Sequence, residues 1–401
     1  MGDGAEHKTV ALVRCDDYDR EKVYLAVKKA IGIIGGPGTF VSPGRKVFLK
    51  FNLLQGSAPG TCVTTHPAVV HAVARILKEH GCSIVMGDSP GSGQAYTEKV
   101  LRKNYEAAGY DTVSRELGIP LNYDTGSCDL PAPDGRMVKR FLVIAPVLDA
   151  DAVVVVSKAK THTLTWLSAA AKNLFGVIPG FEKPFYHGKM PDRDDFCSMI
   201  VDLNEAVRPR LQVVDAIMAM EGDGPHSGTP RKIGAVLASG EYTAIDVVTA
   251  RLMAYDPLQI GTIRAAASRG LVREDFSDIV VLGDDLPSLI VPDLKHPSTF
   301  PGASGGGGGG GSLRSLLVGM LFSLARAYPP WPRIQARQCT GCLKCVRSCP
   351  KQTIVVKDKR PVIGYRACIR CYCCHEMCDS HAISLERGLA GKVIAVLMRS
   401  G

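Results

Sequence analysis

Two runs of four cysteines near the C-terminus have the clearest chemical meaning in this chain of 401 residues. In both runs two, two and three residues separate successive cysteines, and the second run lies 29 residues after the first. Three thiolates of one tight loop hold a [4Fe–4S] cluster, and the fourth cysteine of that run reaches the other cluster. The sequence therefore predicts two [4Fe–4S] clusters, the first held by Cys339, Cys342, Cys345 and Cys378 and the second by Cys368, Cys371, Cys374 and Cys349.

Other uses of cysteine fit this pattern less well. A structural zinc ion takes four ligands, and two repeated runs of four exceed that need. The Cys-x-x-Cys-His string that ends at His375 could attach haem, but it lies inside the second run. Disulfides need an oxidising compartment, and the N-terminus has no apolar signal segment. We therefore expect metal ligands in a cytoplasmic protein, with Cys373 either packing, which we favour, or serving as an alternate ligand.

Residues 336 to about 390 resemble the two-cluster ferredoxins of bacteria, both in the repeat and in the Cys349-Pro350 that ends the first run. The resemblance implies a small α+β domain of short hairpins and helices that carries single electrons. Two apolar segments, residues 354–356 and 383–385, supply the strands that such a domain needs.

Charge is distributed unevenly along the chain. From Ser312 onward 15 Lys and Arg face 4 Asp and Glu, whereas the preceding residues hold 33 and 35. A basic C-terminal domain indicates docking of an acidic electron-donor protein. Nucleic acid is not expected as a partner, because no aromatic platform is interleaved with the charge.

The segment before the cysteine runs divides the chain. Seven consecutive glycines, Gly305–Gly311, predict a flexible linker. An amphipathic helix over Leu313–Ala327 is too short to span a bilayer, and we expect it to pack on a neighbouring domain rather than to attach to a membrane surface. We therefore predict an α/β domain over residues 1–303, a connecting segment over 304–335, and a ferredoxin-like domain with its tail over 336–401.

Short β-branched runs alternate with helical patterns before the linker. Fully apolar runs such as Val153–Val156 suit strands that are buried on both faces, which favours a layered α/β domain with a largely parallel sheet. The predicted strands cover residues 10–13, 47–51, 84–86, 141–144, 153–156, 213–214, 233–237 and 279–282, and helices are predicted over 66–80 and 98–108.

Polar side chains gather where these strands end, which is where ligands bind in open α/β sheets. Lys158, Lys160 and His162 follow the four-valine strand and could attract a carboxylate or phosphate, with His162 able to pass a proton. Lysines after strands can also be simply solvated, but recurrence at several strand ends favours a site. The further candidates are Lys50, Asn52, Asp88, Ser89, Lys172, Asn173 and Glu221.

Several short strings together resemble the domain-of-unknown-function 362 family. They are Lys50-Phe51-Asn52, Thr65-His66-Pro67, Gly87-Asp88-Ser89-Pro90, Lys158-Ala159-Lys160-Thr161-His162, Lys172-Asn173-Leu174-Phe175-Gly176, Met220-Glu221-Gly222-Asp223-Gly224-Pro225 and Ala244-Ile245-Asp246. The resemblance implies a family and a fold, and a C-terminal two-cluster module that many members share, but no substrate.

Two functions are consistent with these features. In the first, an oxidoreductase passes electrons from the clusters to an anionic organic molecule held by Lys158, Lys160 and Lys172, with His162 and Glu221 in acid–base roles. In the second, the chain is a non-catalytic electron carrier or cofactor-maturation partner that docks on another enzyme. A further cofactor in the α/β domain, the substrate and the oligomeric state stay open at this point.

Overall fold

The structure, a computed structural model, describes residues 7–91, 93–301 and 329–387. The first two ranges form an α/β domain with ten strands. They are β1 (Lys8–Arg14), β2 (Lys46–Lys50), β3 (Ser83–Gly87), β4 (Ser127–Pro131), β5 (Arg140–Ile144), β6 (Ala152–His162), β7 (Trp166–Ser168), β8 (Leu211–Glu221), β9 (Thr229–Ser239) and β10 (Ile279–Gly283).

Eight of these strands make one mixed sheet in the order β10-β1-β9-β8-β6-β2-β3, with β7 paired to β6. The pairs β1 with β10, β2 with β3, β2 with β6 and β6 with β8 are parallel, and β9 runs antiparallel to both its neighbours. The predicted α/β, largely parallel sheet is confirmed. One predicted strand, β5, lies outside this sheet in a hairpin with β4.

Helices cover both faces of the sheet. They are α1 (Arg20–Ile33), α2 (Pro67–Glu79), α3 (Glu98–Ala108), α4 (Tyr110–Leu117), α5 (Pro146–Asp149), α6 (Ala170–Asn173), α7 (Glu182–Lys189), α8 (Arg193–Val207), α9 (Tyr242–Leu252) and α10 (Gly261–Ala267). Side chains of α1 to α4 pack in one core, and those of α6 and α8 to α10 pack in the other.

The four-valine run of β6 explains why the sheet lies between two cores. Successive side chains of a strand point to opposite faces. Val153 and Val155 accordingly join the core of α8 and α9, whereas Val154 and Val156 join the core of α1 and α2. A strand that is buried on both faces needs apolar residues at every position, which is what this run supplies.

Two strands are longer than the apolar runs from which they were predicted. We expected Lys158, Lys160 and His162 in a loop after the valines, but β6 extends through all three residues. Likewise β8 extends beyond Asp215 to Glu221. The pairing of β6 with β8 shifts register between Lys158 and Lys160, and such a bulge re-aims side chains at the end of a strand.

A buried carboxylate holds the short helix α6 in place. Asp246 on α9 accepts hydrogen bonds from the backbone N–H of Ala170 (2.7 Å) and of Ala171 (3.1 Å). Burial raises the pKa of Asp246 to about 7, and the two N–H groups oppose that rise. Since α6 carries Lys172 and Asn173, this contact also positions two of the predicted site residues.

The third described range forms a small α+β domain, which we call the cysteine domain. Its elements are β11 (Trp331–Ile334), α11 (Lys344–Arg347), β12 (Ile354–Lys357), β13 (Arg360–Ile363), α12 (Cys373–Glu376) and β14 (Ile383–Glu386). Two antiparallel pairs, β11 with β14 and β12 with β13, give it the expected ferredoxin-like character. Residues 331–334, placed in the connecting segment by sequence, are therefore a strand of this domain.

The seven-glycine run and the predicted helix over Leu313–Ala327 lie outside the described residues. Among the helices that are described, none is both long and apolar enough to cross a membrane.

Replacing Asp246 tests how α6 is held. Asp246→Ala should lower the free energy of unfolding by about 1–3 kcal/mol, because two buried N–H groups lose their acceptor. Asp246→Asn keeps one acceptor and should cost less.

Because burial raises the pKa of the wild-type carboxyl to about 7, its contribution to stability decreases as pH rises from 4 to 7. The wild-type chain should therefore lose stability relative to Asp246→Asn over that range, as measured by urea unfolding. An Asp246→Ala variant as stable as wild type would contradict this role.

Candidate functional site

The cysteine domain gathers the eight predicted ligands into two sets of four. Cys339, Cys342, Cys345 and Cys378 line one cavity of about 320 Å³. Cys349, Cys368, Cys371 and Cys374 line another of about 350 Å³. Each cavity takes three cysteines from one run and the last cysteine of the other, as the spacing predicts.

These cavities suit [4Fe–4S] clusters in their other walls as well. Aliphatic side chains such as Ile354 and Ile363 close the second cavity, and Ile334 and Ile383 close the first. Within residues 7–91, 93–301 and 329–387 no three His, Cys, Asp or Glu side chains converge as ligands of a single metal ion. Four thiols line each cavity, as the ligands of a [4Fe–4S] cluster would.

Backbone N–H groups donate hydrogen bonds to Cys349 and Cys378, the last cysteine of each run, which joins the set of the other run. The N–H of Thr353 donates to the Sγ of Cys349 (3.4 Å), and the N–H of Ala382 donates to the Sγ of Cys378 (3.2 Å). Burial, with the neighbouring thiols, raises the pKa of Cys345 to about 11. Positive iron would offset that cost, because the thiolate is the form that ligates metal.

A second buried feature lies where the cysteine domain meets the α/β domain. It is a cavity of about 450 Å³, its opening included, which we call the lysine cavity. Its ionisable lining groups are Asp88, Lys160, His162, Lys172, Lys183, His187 and Glu376. The ends of β3 and β6, together with α6 and α7, supply the first six, and α12 of the cysteine domain supplies the last.

An ion pair lies beneath the cavity. Lys50, the last residue of β2, places its Nζ 2.8 Å from Oδ1 of Asp88, and both side chains are buried. The same ammonium group donates to the Phe51 carbonyl and to Oδ1 of Asn173, each at 2.9 Å. Asp88 also accepts from the backbone N–H of Leu53 (2.9 Å). These predicted residues meet as expected, but their polar groups are engaged with one another.

Lys160 is one of the residues that line the cavity. Its ammonium group donates to Oδ1 of Asn52 (2.6 Å) and to the Val63 carbonyl (2.7 Å). Burial lowers the pKa of Lys160 to about 7, with Glu376 acting in the opposite direction. Lys160 can therefore gain or lose a proton near neutral pH.

His162 is held in one tautomer. Its Nδ1 accepts hydrogen bonds from the backbone N–H of Leu164 (3.0 Å) and of Thr165 (3.4 Å), so the ring proton lies on Nε2. That nitrogen lies 4.0 Å from Oε2 of Glu376. Burial, and then the nearby Lys172, lower the pKa of His162 well below its usual value, so the ring is neutral.

Lys172 and Glu376 face each other across the cavity. The ammonium group of Lys172 lies 4.7 Å from the ring centre of Phe175, and the described residues give it no hydrogen-bond acceptor. Burial lowers the pKa of Lys172 and raises that of Glu376, and each group opposes the shift of the other. Lys172 is therefore the ammonium group that is best placed to receive a ligand.

Two lining residues on α7 were missed by sequence reasoning, in addition to Glu376. Lys183 is buried on α7 and donates to the hydroxyl of Ser89 (2.8 Å) and to two carbonyl groups, and burial lowers its pKa to about 7. His187 lies four residues later on the same helix face, stacked 4.3 Å from Phe196, and burial lowers its pKa to about 3. Residues that are four apart share one face of a helix, so Lys183 and His187 lie together. The sequence does not show that this face of α7 points into the cavity.

Besides Lys50, two more predicted site residues do not line the lysine cavity. Lys158 pairs with Asp215 at 2.9 Å and donates to the hydroxyl of Tyr18 at 2.7 Å. Glu221 accepts from the backbone N–H of Lys295 at 3.1 Å. Lys158 and Lys160 are alternate residues of β6, so a regular strand would place both side chains on the same face. The register shift between them and their different hydrogen-bond partners place the two side chains in different surroundings.

Polar contacts join the two domains beside the cavity. Nε2 of His375 lies 3.2 Å from the Asp223 carbonyl, and Nδ1 of His381 lies 3.0 Å from Oγ of Ser227. The ring of His381 also stacks on His226 at 4.8 Å. These contacts flank Glu376 and Cys378 in sequence, so they place α12 against the cavity.

Serine substitutions test how the cysteines are divided. Cys378→Ser should disrupt the cluster of the first run, because the structure groups Cys378 with Cys339, Cys342 and Cys345. Cys349→Ser should disrupt the other cluster. Iron content should fall by about half in each variant, and electron paramagnetic resonance of the reduced proteins should show two different remaining signals. Cys373→Ser is the matched control and should keep its iron. Loss of the same signal in both variants would contradict the grouping.

Comparisons with known proteins agree with this division of the chain. Residues 47–251 match the family described as domain of unknown function (DUF362), and residues 332–379 match a 4Fe-4S dicluster domain. The chain therefore contains a ferredoxin-type domain that binds 4Fe–4S clusters.

A curated relative and a solved structure illustrate what the chain is similar to. The thylakoid-associated protein sll1697 of Synechocystis sp. is 36% identical over 267 residues, which cover 66% of this chain and 80% of that protein. The lactate racemase apoprotein of Thermoanaerobacterium thermosaccharolyticum aligns with a TM-score of 0.37 and 10% identity over 60% of this chain. That alignment spans 56% of the racemase chain, little more than half its length. By its matched domain and its relative, this chain belongs to the family of the domain of unknown function DUF362.

Proposed function

We propose that this protein is an iron–sulfur oxidoreductase that binds a small organic anion in the lysine cavity and exchanges electrons with it through two [4Fe–4S] clusters. One observation carries the proposal. Glu376, which lies between the cluster cysteines Cys374 and Cys378, lines the same cavity as Lys160 and Lys172. A molecule bound there would touch the helix that carries cluster ligands.

The charge of the cavity favours an anion. Three lysines line it, against the carboxyl groups of Asp88 and Glu376. Asp88 is already engaged by Lys50, so it does not neutralise the cavity lysines fully. A carboxylate or phosphate near Lys172 would gain a charge-assisted hydrogen bond in surroundings that are shielded from water.

Proton transfer suits Lys160 better than His162. A general acid works best when its pKa lies near the working pH. Burial lowers the pKa of Lys160 to about 7, whereas the pKa of His162 lies well below its usual value. We therefore assign the proton to Lys160 and give His162 the role of donating an oriented hydrogen bond from Nε2. Lys183, whose pKa burial also lowers to about 7, is a second proton source.

The clusters supply single electrons when they are bound. The protein side chains bind the anion, exclude water and hold the proton. Glu221, which we expected as the acid partner, does not line the cavity, and Glu376 is the carboxyl group found there instead.

A non-catalytic role has one observation in its favour. The ammonium groups of Lys160 and Lys183 are already bonded to protein acceptors, and Glu376 lies where a ligand carboxylate could lie. In that case the cavity would lock the cysteine domain onto the α/β domain, and electrons would pass to another protein.

Oxidation of the reduced clusters separates the two functions. The anaerobically reduced protein should regain its visible absorbance faster when an effective member of a panel of small carboxylates and phosphates is added. Lys172→Ala should slow this by about tenfold or more, because about 1.5–3 kcal/mol of charge-assisted bonding is lost. Lys29→Ala, an exposed change on α1, is the control and should behave as wild type. If no small anion discharges the clusters and only a protein does so, the non-catalytic function is correct.

The pH dependence of anion binding follows from the two lysines whose pKa lies near neutrality. Burial lowers the pKa of both Lys160 and Lys183 to about 7, so both are charged at pH 6 and largely neutral at pH 8. The dissociation constant of the most effective anion, measured by calorimetry, should therefore rise between pH 6 and pH 8. Lys160→Met should bind more weakly at pH 6 and show a smaller change. Binding that strengthens as pH rises would contradict the assignment.

A further inference from the structure

The eight cluster cysteines differ in their access to solvent. Cys342 of the first set is exposed, whereas all four cysteines of the second set are buried or half-buried. The wall of the second cavity contacts α7 of the α/β domain. Pro350, in the wall of its cavity, packs so closely on Gly188 of α7 that a Cβ at that glycine would lie 3.2 Å from the proline ring. The first set therefore presents one cysteine to solvent, and the wall of the second cavity contacts the helix that carries the cavity residues Lys183 and His187.

Basic residues surround the exposed edge. Arg347 donates to the Cys342 carbonyl (3.2 Å), and Arg360 donates to the carbonyl of Ala336 (3.1 Å), next to Arg337. The backbone of Lys359 reaches the neighbouring glycine, Gly341. With Lys344, five basic side chains lie on this surface against two carboxyl groups, Asp358 and Asp379.

The two carboxyl groups do not cancel this charge. Asp379 pairs with Lys344 at 2.5 Å, so four basic groups are left against Asp358. Arg337, Arg347, Lys359 and Arg360 are all exposed.

An apolar pair lies on the same hairpin. Val355 on β12 and Val362 on β13 are opposite each other in the register and are 46% and 42% exposed. Two residues along, Lys357 faces Arg360. Apolar residues with a polar rim are typical of protein interfaces, whereas polyanion sites rely on charge alone.

We propose that the surface around Cys342 is the docking site of an acidic electron-carrier protein. The carrier would lose one electron, and the cluster held by the first cysteine set would gain it, with no bond formed or broken. Charge complementarity would steer the acidic partner to the exposed edge. The order from surface to lysine cavity is then the first set followed by the second.

Charge reversal at the docking surface tests the proposal. The probe is an acidic plant-type [2Fe–2S] ferredoxin, and the full chain with its clusters is used. Arg337→Glu combined with Lys359→Glu changes exposed residues for which the structure shows no side-chain hydrogen bond. Lys29→Glu combined with Lys46→Glu makes the same charge change on α1 and at the amino end of β2, away from the cysteine domain.

The first double variant should bind the ferredoxin at least tenfold more weakly at low ionic strength, as measured by surface plasmon resonance. The difference should shrink in 0.5 M NaCl, because exposed charges interact only over a Debye length, which is about 10 Å at 0.1 M and shorter at higher salt. Reduction by dithionite and cluster absorbance should be unchanged. Equal weakening in the control variant, or none in the first, would overturn the proposal. The proposal would also be wrong if the first double variant lost binding to anionic phosphatidylglycerol vesicles but kept its binding to ferredoxin. That result would assign the surface to membrane binding.

Discussion

The burial of Glu376 among lysines is the contact on which this structure depends. A carboxyl group from the cysteine domain lies in the cavity that Lys160, Lys172 and Lys183 line, so neither domain completes that cavity alone. Burial disfavours the charged form of each of these groups, so it lowers the pKa of the lysines and raises that of Glu376. Together they offset part of that cost. The contact therefore both fixes the cysteine domain and brings the cluster-bearing helix to the place where an anion can bind.

The sheet makes this concentration of charge possible. The neighbouring parallel strands β2, β6 and β3 end at one edge of the sheet, and Lys50, Lys160 and Asp88 lie at or next to those strand ends. Lys50 is neutralised by Asp88, and Lys158 is neutralised by Asp215 on the adjacent strand β8. Removing one member of such a buried pair costs about 3–5 kcal/mol, because the other charge is left without a partner. The paired lysines thus support the site, and Lys172 is left to receive a ligand.

Sequence patterns predicted eight of the ten strands of the α/β domain but not β4 or β7, and only two of its helices. The duplicated spacing divided the cysteines between two sets as the structure does, because that spacing is local in sequence. Contacts between distant residues could not be predicted. Nothing in the sequence pairs Lys158 with Asp215, extends β6 to His162 or turns Lys183 inward. Glu376 was missed for two reasons. It lies between two cluster cysteines, in a segment whose sequence pattern is already explained by metal binding, and the lysines around it are about 200 residues away in the sequence.

A crystal structure of the anaerobically prepared protein, soaked with the anion that best discharges its clusters, would show directly whether an anion binds between the cavity lysines and the cluster-bearing helix. The proposed function predicts iron in both cysteine cavities, about four atoms in each, and the anion within hydrogen-bond distance of Lys172 and beside Glu376. An anion bound elsewhere, zinc in the cysteine cavities, or Glu376 outside the lysine cavity would contradict it.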